Sequence, residues 1–324
     1  MQYRRLGNGP LEVSELSFGT WLTVAGGIGH EKAIRCIHAA VDHGITLFDT
    51  ANEYGAGAAE RVLGEALKAY PRDRFMVATK LYFPVGDEPD RGLSAVQIEK
   101  QLDRSLERLG VDFIDLYQCH RYDKETPLEE TMQALDRAVK AGKVRAIGFS
   151  EWTGEQIDAA AAITGAHGLT PFCSSQPQYS MLWRKPEGKV FPACARHGIG
   201  NLAFSPLAHG VLTGKYAPGQ PPPADSRAAS DEMNRFMETA GRHFRSDYIL
   251  EAVAQLKPIA ADLGLTMAQM GLAWVLRRPE MASAIIGASR PEQIADNVKA
   301  VGVKLPAEAL ALMDKAVGGV AVWE

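Results

Sequence analysis

Four residues with complementary chemistry follow short apolar runs in the first half of the chain. Asp49 directly follows one run, Tyr54 comes five residues later, and Lys80 and His120 follow the next two runs. A buried ammonium stabilises the phenolate form of a nearby tyrosine. We therefore expect Lys80 to lower the pKa of Tyr54 from its ordinary value of about 10.

Such a set is suited to the reduction of a carbonyl group. Asp49 would pair with Lys80, Tyr54 would donate a proton to the carbonyl oxygen, and His120 would hydrogen-bond and orient that oxygen. None of these four side chains supplies hydride, so the chemistry implies a nicotinamide cofactor. The alternative is a structural ion pair between Asp49 and Lys80, which is also frequent at strand ends.

Short apolar runs alternate with helical patterns along the whole chain. Each run is rich in β-branched and aromatic residues, as buried strands are. Eight strands, mostly followed by helices, favour a (β/α)8 TIM barrel over a doubly wound sheet, because the doubly wound sheet usually has fewer strands. The runs centre on residues 16–18, 45–48, 75–78, 113–117, 144–149, 172–174, 199–204 and 284–286.

The first residues predict a hairpin ahead of the barrel, since Gly7 to Pro10 interrupt two short runs between Tyr3 and Val13. Helix starts are predicted at Ser94, Thr126, Thr153 and Thr266, each followed by Gln or Glu three residues later. Residues 215–247 are the least regular stretch. No shift in composition divides the chain, so residues 1–324 are expected to form a single domain.

The composition excludes several classes of protein. Among 324 residues, 35 Lys and Arg stand against 39 Asp and Glu, a net charge of −4, so neither a nucleic-acid nor a membrane-surface partner is indicated. The four cysteines lack metal or redox spacing and are expected to be buried thiols. No apolar run approaches the ~18 residues of a membrane span and no signal peptide is evident, which predicts a cytoplasmic protein.

Several longer segments together resemble the aldo-keto reductase family. They are FDTANEYG at 48–55, ATK at 78–80, HRYD at 120–123, GFSEW at 148–152, FSPLAHG at 204–210 and IGASRPEQIADN at 286–297. The resemblance covers essentially the whole chain and is closest to the branch that contains the potassium-channel β subunits and their bacterial relatives. It implies a barrel that binds NADP(H) in an extended conformation without a Rossmann domain.

The resemblance also implies roles for individual residues. Asp49, Tyr54, Lys80 and His120 match the family's catalytic tetrad, with Tyr54 as general acid. Channel subunits often have Asn in place of His120, so His120 favours an active reductase. The implied cofactor contacts are the first-strand residues Gly19, Thr20 and Trp21 together with Asp49; Ser150 and Gln176 at the nicotinamide carboxamide; Tyr179 stacked beneath the ring; Ser205, Pro206, Leu207, His209, Gly210 and Lys215 at the pyrophosphate; Arg227 closing over the cofactor; and Gly287, Ser289, Arg290, Gln293, Asp296 and Asn297 at the adenosine end.

The adenosine segment also has a physical rationale. Pro291 stands where a helix would begin, and Arg290 beside it could pair bidentately with a 2′-phosphate, which favours NADP over NAD. The alternative is an Arg290 that merely faces solvent near a helix start. The segment Gly55–Glu60 begins like a dinucleotide fingerprint, but Glu60 replaces the third glycine and excludes that interpretation.

The predicted substrate pocket consists of Trp21, Tyr54, Tyr82, His120 and Trp152. Tyr82 and its neighbour Phe83 could instead pack in the core or a loop. Two positions depart from the family pattern, Glu151 beside Ser150 and Trp183 in the loop after the sixth strand. The leading hypothesis is NADPH-dependent reduction of a small aldehyde or ketone, and the alternative is an NADPH-binding, redox-sensing regulatory subunit with slow turnover. By resemblance the chain would form a homo-oligomer, a tetramer or an octamer, and no metal is expected.

Overall fold

Eight parallel strands close into a barrel in chain order, and the last strand pairs with the first. The structure is a computed structural model that describes residues 1–21, 24, 27–86, 90–224, 226–229 and 244–323. Two antiparallel strands, β1 (Tyr3–Arg5) and β2 (Glu12–Ser14), form a hairpin before the barrel. The predicted (β/α)8 barrel and its N-terminal hairpin are confirmed.

Each predicted apolar run overlaps one barrel strand. The strands are β3 (Leu16–Gly19), β4 (Leu47–Asp49), β5 (Met76–Leu81), β6 (Ile114–Cys119), β7 (Val144–Ser150), β8 (Ser174–Gln176), β9 (Gly200–Ala203) and β10 (Met281–Ile286). Buried side chains on both faces of a parallel strand explain why these segments are continuous apolar runs rather than alternating ones.

Helices pack around the barrel and connect its strands. They are α1 (His30–Asp42), α2 (Ala58–Leu67), α3 (Ala95–Leu109), α4 (Leu128–Lys140), α5 (Gly154–His167), α6 (Val190–Arg196), α7 (Asp247–Ala254), α8 (Leu256–Asp262), α9 (Met267–Leu276), α10 (Pro291–Asn297) and α11 (Ala307–Val317). Short 3-10 helices lie at 72–74, 185–187, 208–213, 227–229 and 298–300.

Three of the four predicted helix starts are confirmed. Thr153 and Thr266 each form a complete capping box, and Ser94 accepts a hydrogen bond from the backbone N–H of Gln97. The prediction for Thr126 is wrong, because α4 begins one residue later with Pro127 before it. The Thr126 hydroxyl instead donates to Asp123 Oδ2 at 2.7 Å.

The hairpin contributes to the core inside the barrel. Leu6 and Val13 are fully buried and Leu11 nearly so, and they belong to one apolar cluster with lumen-facing residues of the barrel strands. Those lumen residues include Leu47, Ala78, Leu116, Ala146 and Leu202. The hairpin therefore closes the amino end of the barrel.

The irregular stretch predicted at 215–247 is only partly described. Residues 215–224 form neither helix nor strand, and a short 3-10 helix covers Arg227–Ala229. Residues 230–243 and the side chain of Arg227 lie outside the described part of the chain. The role predicted for Arg227 falls there.

All four cysteines are buried free thiols, as predicted. Within the described residues, no single helix is long and apolar enough to cross a membrane; one pair bent by 90°, Asp247–Asp262 with Met267–Leu276, meets the length and composition requirement together.

Candidate active site

The alternation of side chains along the barrel strands places polar groups in the lumen at the carboxyl end. Leu47, Ala78 and Leu116 lie in the apolar lumen cluster. Because every second residue of a strand faces the same side, Asp49, Lys80 and Gln118 lie one layer above them. Lys80 pairs with Gln118 across the sheet, and Ser150 pairs with Gln176.

Lys80 is the centre of this layer. Its side chain is fully buried, and its Nζ donates to Asp49 Oδ2 at 2.7 Å and to the carbonyl oxygen of Thr50 at 2.8 Å. A third contact joins Nζ to the hydroxyl of Tyr54 at 3.3 Å. Burial lowers the pKa of Lys80, while the Asp49 carboxylate opposes that shift.

Tyr54 lies on the loop between β4 and α2 and is 7% exposed. The predicted lowering of its pKa is wrong. Burial, followed by the carboxylates of Asp49 and Glu53, raises the pKa of Tyr54 well above 10. Tyr54 therefore holds its proton at neutral pH, so it is a donor rather than a preformed phenolate.

The imidazole of His120 packs edge-on against Tyr54, with 5.7 Å between the ring centroids. Its Nδ1 is buried, lies 3.8 Å from Glu53 Oε1 and has no hydrogen-bond partner within the described residues. Burial, with the nearby cations of Lys80 and Arg121, lowers the pKa of His120 well below 6.5. His120 is thus a neutral imidazole at physiological pH.

Glu53 was not identified by the sequence analysis. It precedes Tyr54, its side chain is 28% exposed, and burial raises its pKa although Lys80 and Arg121 act in the opposite direction. The alternation of strand residues would not have identified it, because it lies on a loop.

Two glutamines lie near Asp49 Oδ1, the carboxylate oxygen to which Lys80 does not donate. Gln176 Nε2 donates to Asp49 Oδ1 at 2.8 Å, and Gln118 Nε2 lies 3.5 Å from the same oxygen. Ser150 Oγ donates to the carbonyl oxygen of Gln176 at 2.8 Å. Ser150 and Gln176 are therefore together as predicted. Gln118 was missed, although counting two residues on from Leu116 would have placed it here.

The end of the first barrel strand joins the same rim. Thr20 donates both its backbone N–H and its hydroxyl to the carbonyl oxygen of Asp49, at 2.9 and 3.1 Å. Trp21 follows, and its ring centroid lies 6.1 Å from that of Tyr54. Gly19 has no room for a side chain, because a Cβ at this position would lie only 2.7 Å from Cγ2 of Ile285.

The loop after β9 has an unusual backbone. Ser205, Ala208, His209 and Gly210 all have positive φ, between 47° and 92°. The backbone N–H groups of Ala208 and Gly210 donate to the carbonyl oxygens of Ser205 and Leu207, at 2.9 Å each, so hydrogen bonds within the loop hold this tight turn. Lys215 adds positive charge, because its Nζ lies 3.3 Å from the Cβ position of Gly210. Pro206 and Leu207 belong to the same loop.

The segment after β10 turns into α10. Gln293 Oε1 accepts a hydrogen bond from the backbone N–H of Ser289 at 2.8 Å, and Arg290 is exposed at the start of the helix. Asp296 Oδ1 accepts from Gln269 Nε2 at 2.7 Å, so it also fixes the start of α9. Gly287 is exposed and Asn297 buried on either side of this turn.

Tyr179 does not lie where the resemblance implies. Its side chain is fully buried against Phe191 and Trp274, and its hydroxyl donates to Glu187 Oε1 at 2.7 Å. No face of the ring is open to a cofactor, so the predicted stacking is wrong. Phe204, which the sequence analysis did not single out, is a half-buried aromatic ring immediately before the loop that follows β9.

The prediction that Trp152 lines the substrate pocket is also wrong. It is 2% exposed and packs against Phe149, Phe172 and Tyr122 in the layer between barrel and helices. From the sequence, an aromatic residue two positions after a strand is expected at the rim of the barrel. Here the backbone directs the Trp152 side chain into the layer between the strands and the helices.

Other aromatic side chains do line the mouth. The ring of Phe83 lies 5.2 Å from His120, and Tyr82 packs against Phe83 at 5.1 Å. Together with Trp21 they form an apolar opening around Tyr54 and His120. Trp183 instead packs near Phe244, whose ring stacks on His209 at 6.1 Å.

Glu151 has a local structural role. It has a φ of 58°, and its Oε1 accepts a hydrogen bond from the backbone N–H of Gln178 at 2.7 Å. The carboxylate thereby links the loops after β7 and β8. No group of three or more His, Cys, Asp or Glu able to hold a metal ion occurs among the residues that the structure describes.

Comparison with known proteins agrees with this architecture. The aldo/keto reductase family matches residues 15–317. The chain belongs to the aldo/keto reductase family. The chain is 39% identical over 306 residues to a probable voltage-gated potassium channel subunit beta of Arabidopsis thaliana, covering 94% of this chain and 92% of that protein.

Two further relatives have related names. A probable voltage-gated potassium channel subunit beta of Oryza sativa subsp. japonica is 38% identical over 306 residues, with 94% of this chain and 92% of that protein covered. A putative voltage-gated potassium channel subunit beta of Schizosaccharomyces pombe is 36% identical over 321 residues, with coverage of 97% and 92%. The predicted branch of the family, the one that contains the potassium-channel β subunits, is therefore confirmed.

Proposed function

We propose that the protein is an NADPH-dependent reductase of small aldehydes or ketones. One observation carries the proposal: the buried ammonium of Lys80 contacts both the carboxylate of Asp49 and the hydroxyl of Tyr54 at the open end of the barrel. A structural ion pair would need only Asp49 and Lys80. The third contact places a phenol on the cation, which is the arrangement that proton donation requires.

The described residues fit an extended dinucleotide. Lys215, which lies beside Gly210 in the loop after β9, offers positive charge for the pyrophosphate. Arg290 at the start of α10 suits the 2′-phosphate. Ser150 and Gln176 would bind the nicotinamide carboxamide by exchanging the hydrogen bonds that they make to the Gln176 carbonyl oxygen and to Asp49 Oδ1. We assign the stacking position to Phe204 in place of Tyr179. When bound, NADPH supplies the hydride for the carbonyl carbon.

The proton comes from this chain. The raised pKa of Tyr54 keeps the proton on Oη, from which it passes to the carbonyl oxygen as that oxygen gains negative charge. Lys80, at 3.3 Å, stabilises the phenolate that remains, and Asp49 holds Lys80 in place. Neutral His120 hydrogen-bonds the carbonyl oxygen, and the aromatic side chains of the mouth exclude water.

The test compares the protein with Tyr54→Phe. Stopped-flow titration with NADPH measures cofactor binding, and mixing with a panel of aldehydes and ketones measures cofactor oxidation. We expect Tyr54→Phe to bind NADPH with wild-type Kd and to lose turnover by about 10² to 10⁴-fold. Wild-type turnover in Tyr54→Phe would refute the assignment of Tyr54 as the acid.

A second candidate is an NADPH-binding regulatory subunit with slow turnover. The observation in its favour is that three relatives between 36% and 39% identical are named as potassium channel subunits. Tight NADPH binding with negligible oxidation across the same panel would favour this candidate. Fast oxidation by any panel member would favour the reductase.

A further inference from the structure

Glu60 is a fully buried carboxylate outside the barrel lumen. Its Oε1 accepts a hydrogen bond from the hydroxyl of Thr79 at 2.6 Å, and its Oε2 accepts from Arg108 Nε at 2.6 Å. The Arg108 side chain is only 8% exposed. Both oxygens of the carboxylate are thus occupied, one by a strand and one by a helix.

Two of the three residues lie next to the proposed acid and its cation along the chain, and the third lies on the neighbouring helix α3. Thr79 directly precedes Lys80 on β5, and it faces outward because Lys80 faces the lumen. Glu60 lies in the first turn of α2, six residues after Tyr54. Arg108 belongs to α3 and packs beneath the turn between Tyr54 and α2, since a Cβ at Gly57 would lie 2.9 Å from its Cδ.

A second contact from α3 reaches the same loop. Asn52 is fully buried and donates from Nδ2 to the carbonyl oxygen of Phe83 at 3.2 Å, with Gln101 Oε1 at 3.5 Å from the same nitrogen. Gln101 and Arg108 are seven residues apart and lie on one face of α3. This face of α3 therefore contacts both ends of the loop that carries Tyr54.

A contribution to stability does not by itself explain the buried ion pair between Glu60 and Arg108. A buried ion pair often contributes no more than apolar side chains of the same volume, because desolvation offsets the attraction between the charges. Its geometry is nevertheless well defined, since two short hydrogen bonds fix the carboxylate from two directions. The contact between Lys80 and Tyr54 is longer, at 3.3 Å, and joins a strand to a loop.

We infer that Glu60, held between Thr79 and Arg108, is a positioning residue that sets the separation of the Tyr54 hydroxyl from Lys80. The inference rests on the proposed reductase function. Glu60 touches neither reacting group; it links the helix that follows Tyr54 to the residue next to Lys80.

The decisive variant is Thr79→Val, which removes the hydroxyl and keeps the branched shape. Thr79→Ser keeps the hydroxyl and serves as the conservative rescue. We expect Thr79→Val to lower kcat about tenfold, because a small displacement of a reacting group is enough for such a loss. KM for the aldehyde and Kd for NADPH should stay at wild-type values, and Thr79→Ser should retain most of kcat.

Glu60→Gln tests the other contact, and Asp115→Asn is its matched control. Asp115 is likewise a buried carboxylate, bonded to Arg72 at 2.6 Å and to the backbone N–H of Val77 on β5 at 2.9 Å, but it lies at the amino end of the barrel. Both variants should lower the melting temperature. Only Glu60→Gln should lower kcat when activity is expressed per folded molecule.

Crystal structures of the same variants separate this inference from the proposed function. The distance between Tyr54 Oη and Lys80 Nζ should increase in Thr79→Val and Glu60→Gln and stay unchanged in Asp115→Asn. An unchanged distance with wild-type kcat in Thr79→Val would overturn the positioning role. If the wild-type protein oxidises NADPH with no member of the panel, the reductase proposal fails, and the distances alone decide the inference.

Discussion

Asp49 and Lys80 form an ion pair, 2.7 Å long, in which neither side chain is more than 6% exposed. The pair is buried beside Tyr54, so each charge depends on the other for its stability in a region of low dielectric. Two glutamines near Asp49 Oδ1 and the carbonyl oxygen of Thr50 complete its surroundings.

Removal of the ammonium should therefore damage both folding and turnover. We expect Lys80→Met to lower the free energy of unfolding by about 3–5 kcal/mol, because Asp49 is left as an unpaired buried charge. Turnover should fall by about 10²-fold or more, since Tyr54 loses the cation that stabilises its phenolate. The control is Lys143→Met, which removes an exposed lysine paired with Asp103 at 2.5 Å and should cost less than about 1 kcal/mol. Denaturant titration and steady-state kinetics measure both effects, and equal costs in the two variants would contradict this account.

The buried, neutral His120 predicts a pH dependence of stability. Its folded pKa is lowered, so below the unfolded value of about 6.5 the unfolded state binds more protons than the folded state. The stability that His120 contributes is thus present above about pH 6.5 and is lost as the pH falls toward its folded pKa. We expect the free energy of unfolding to fall less between about pH 7.5 and about pH 5 in His120→Asn than in the wild type. Parallel slopes in the two proteins would be inconsistent with a buried neutral imidazole.

The two aromatic residues near the end of the barrel should behave differently toward the cofactor. We expect Phe204→Ala to raise the Kd for NADPH about tenfold, because stacking on an aromatic ring contributes about 1–1.5 kcal/mol. Tyr179→Phe should leave that Kd unchanged and should lower stability by about 1 kcal/mol, since it removes the hydrogen bond to Glu187 and the longer one from Arg277 but keeps the ring. Quenching of protein fluorescence by NADPH measures both Kd values. A weakened Kd in Tyr179→Phe alone would restore the role that the resemblance implied.

Trp21 and Trp152 give a similar contrast for the substrate. Trp21→Ala should raise KM for aromatic aldehydes, because its ring stands beside Tyr54 at the mouth. Trp152→Ala should leave KM unchanged and should lower the free energy of unfolding by about 3–5 kcal/mol, as expected for a large buried side chain. Should Trp152→Ala fold normally and raise KM, Trp152 would belong to the pocket after all.

Arg290 is the residue that should separate NADPH from NADH. Charge-assisted hydrogen bonds contribute about 1.5–3 kcal/mol, so Arg290→Ala should weaken NADPH binding by about tenfold to a hundredfold. NADH binding is the internal control, since NADH lacks the 2′-phosphate and should bind both proteins equally. Equal loss for the two cofactors would assign Arg290 to the shared part of the dinucleotide instead.

Strand positions were accessible from the sequence because each buried strand is a short apolar run between helix signals. The same periodicity placed Asp49 and Lys80 correctly, since both follow directly in the lumen-facing row of their strands. Gln118 was equally predictable, because it is two residues after Leu116 and so faces the same side of β6.

Features that depend on loop geometry or burial were not accessible. The direction of the Tyr54 pKa shift reverses because burial and the carboxylates of Asp49 and Glu53 outweigh the guanidinium of Arg121, and no spacing in the sequence predicts the depth of burial. Tyr179 and Trp152 are aromatic residues near strand ends whose side chains turn into the helical layer. The link from Glu60 to Thr79 joins the barrel-facing side of α2 to the outward face of β5, and no spacing in the sequence predicts that contact.

The hairpin at the amino end of the barrel also shapes the electric field of the active site. Leu6, Leu11 and Val13, with the lumen residues above them, form a solid apolar floor two residues below Asp49 and Lys80. A floor of low polarisability neither screens the charges above it nor admits water to do so, whereas the opposite end opens to solvent. The field of the buried ammonium is therefore directed outward, toward the position where negative charge would develop on a bound carbonyl group.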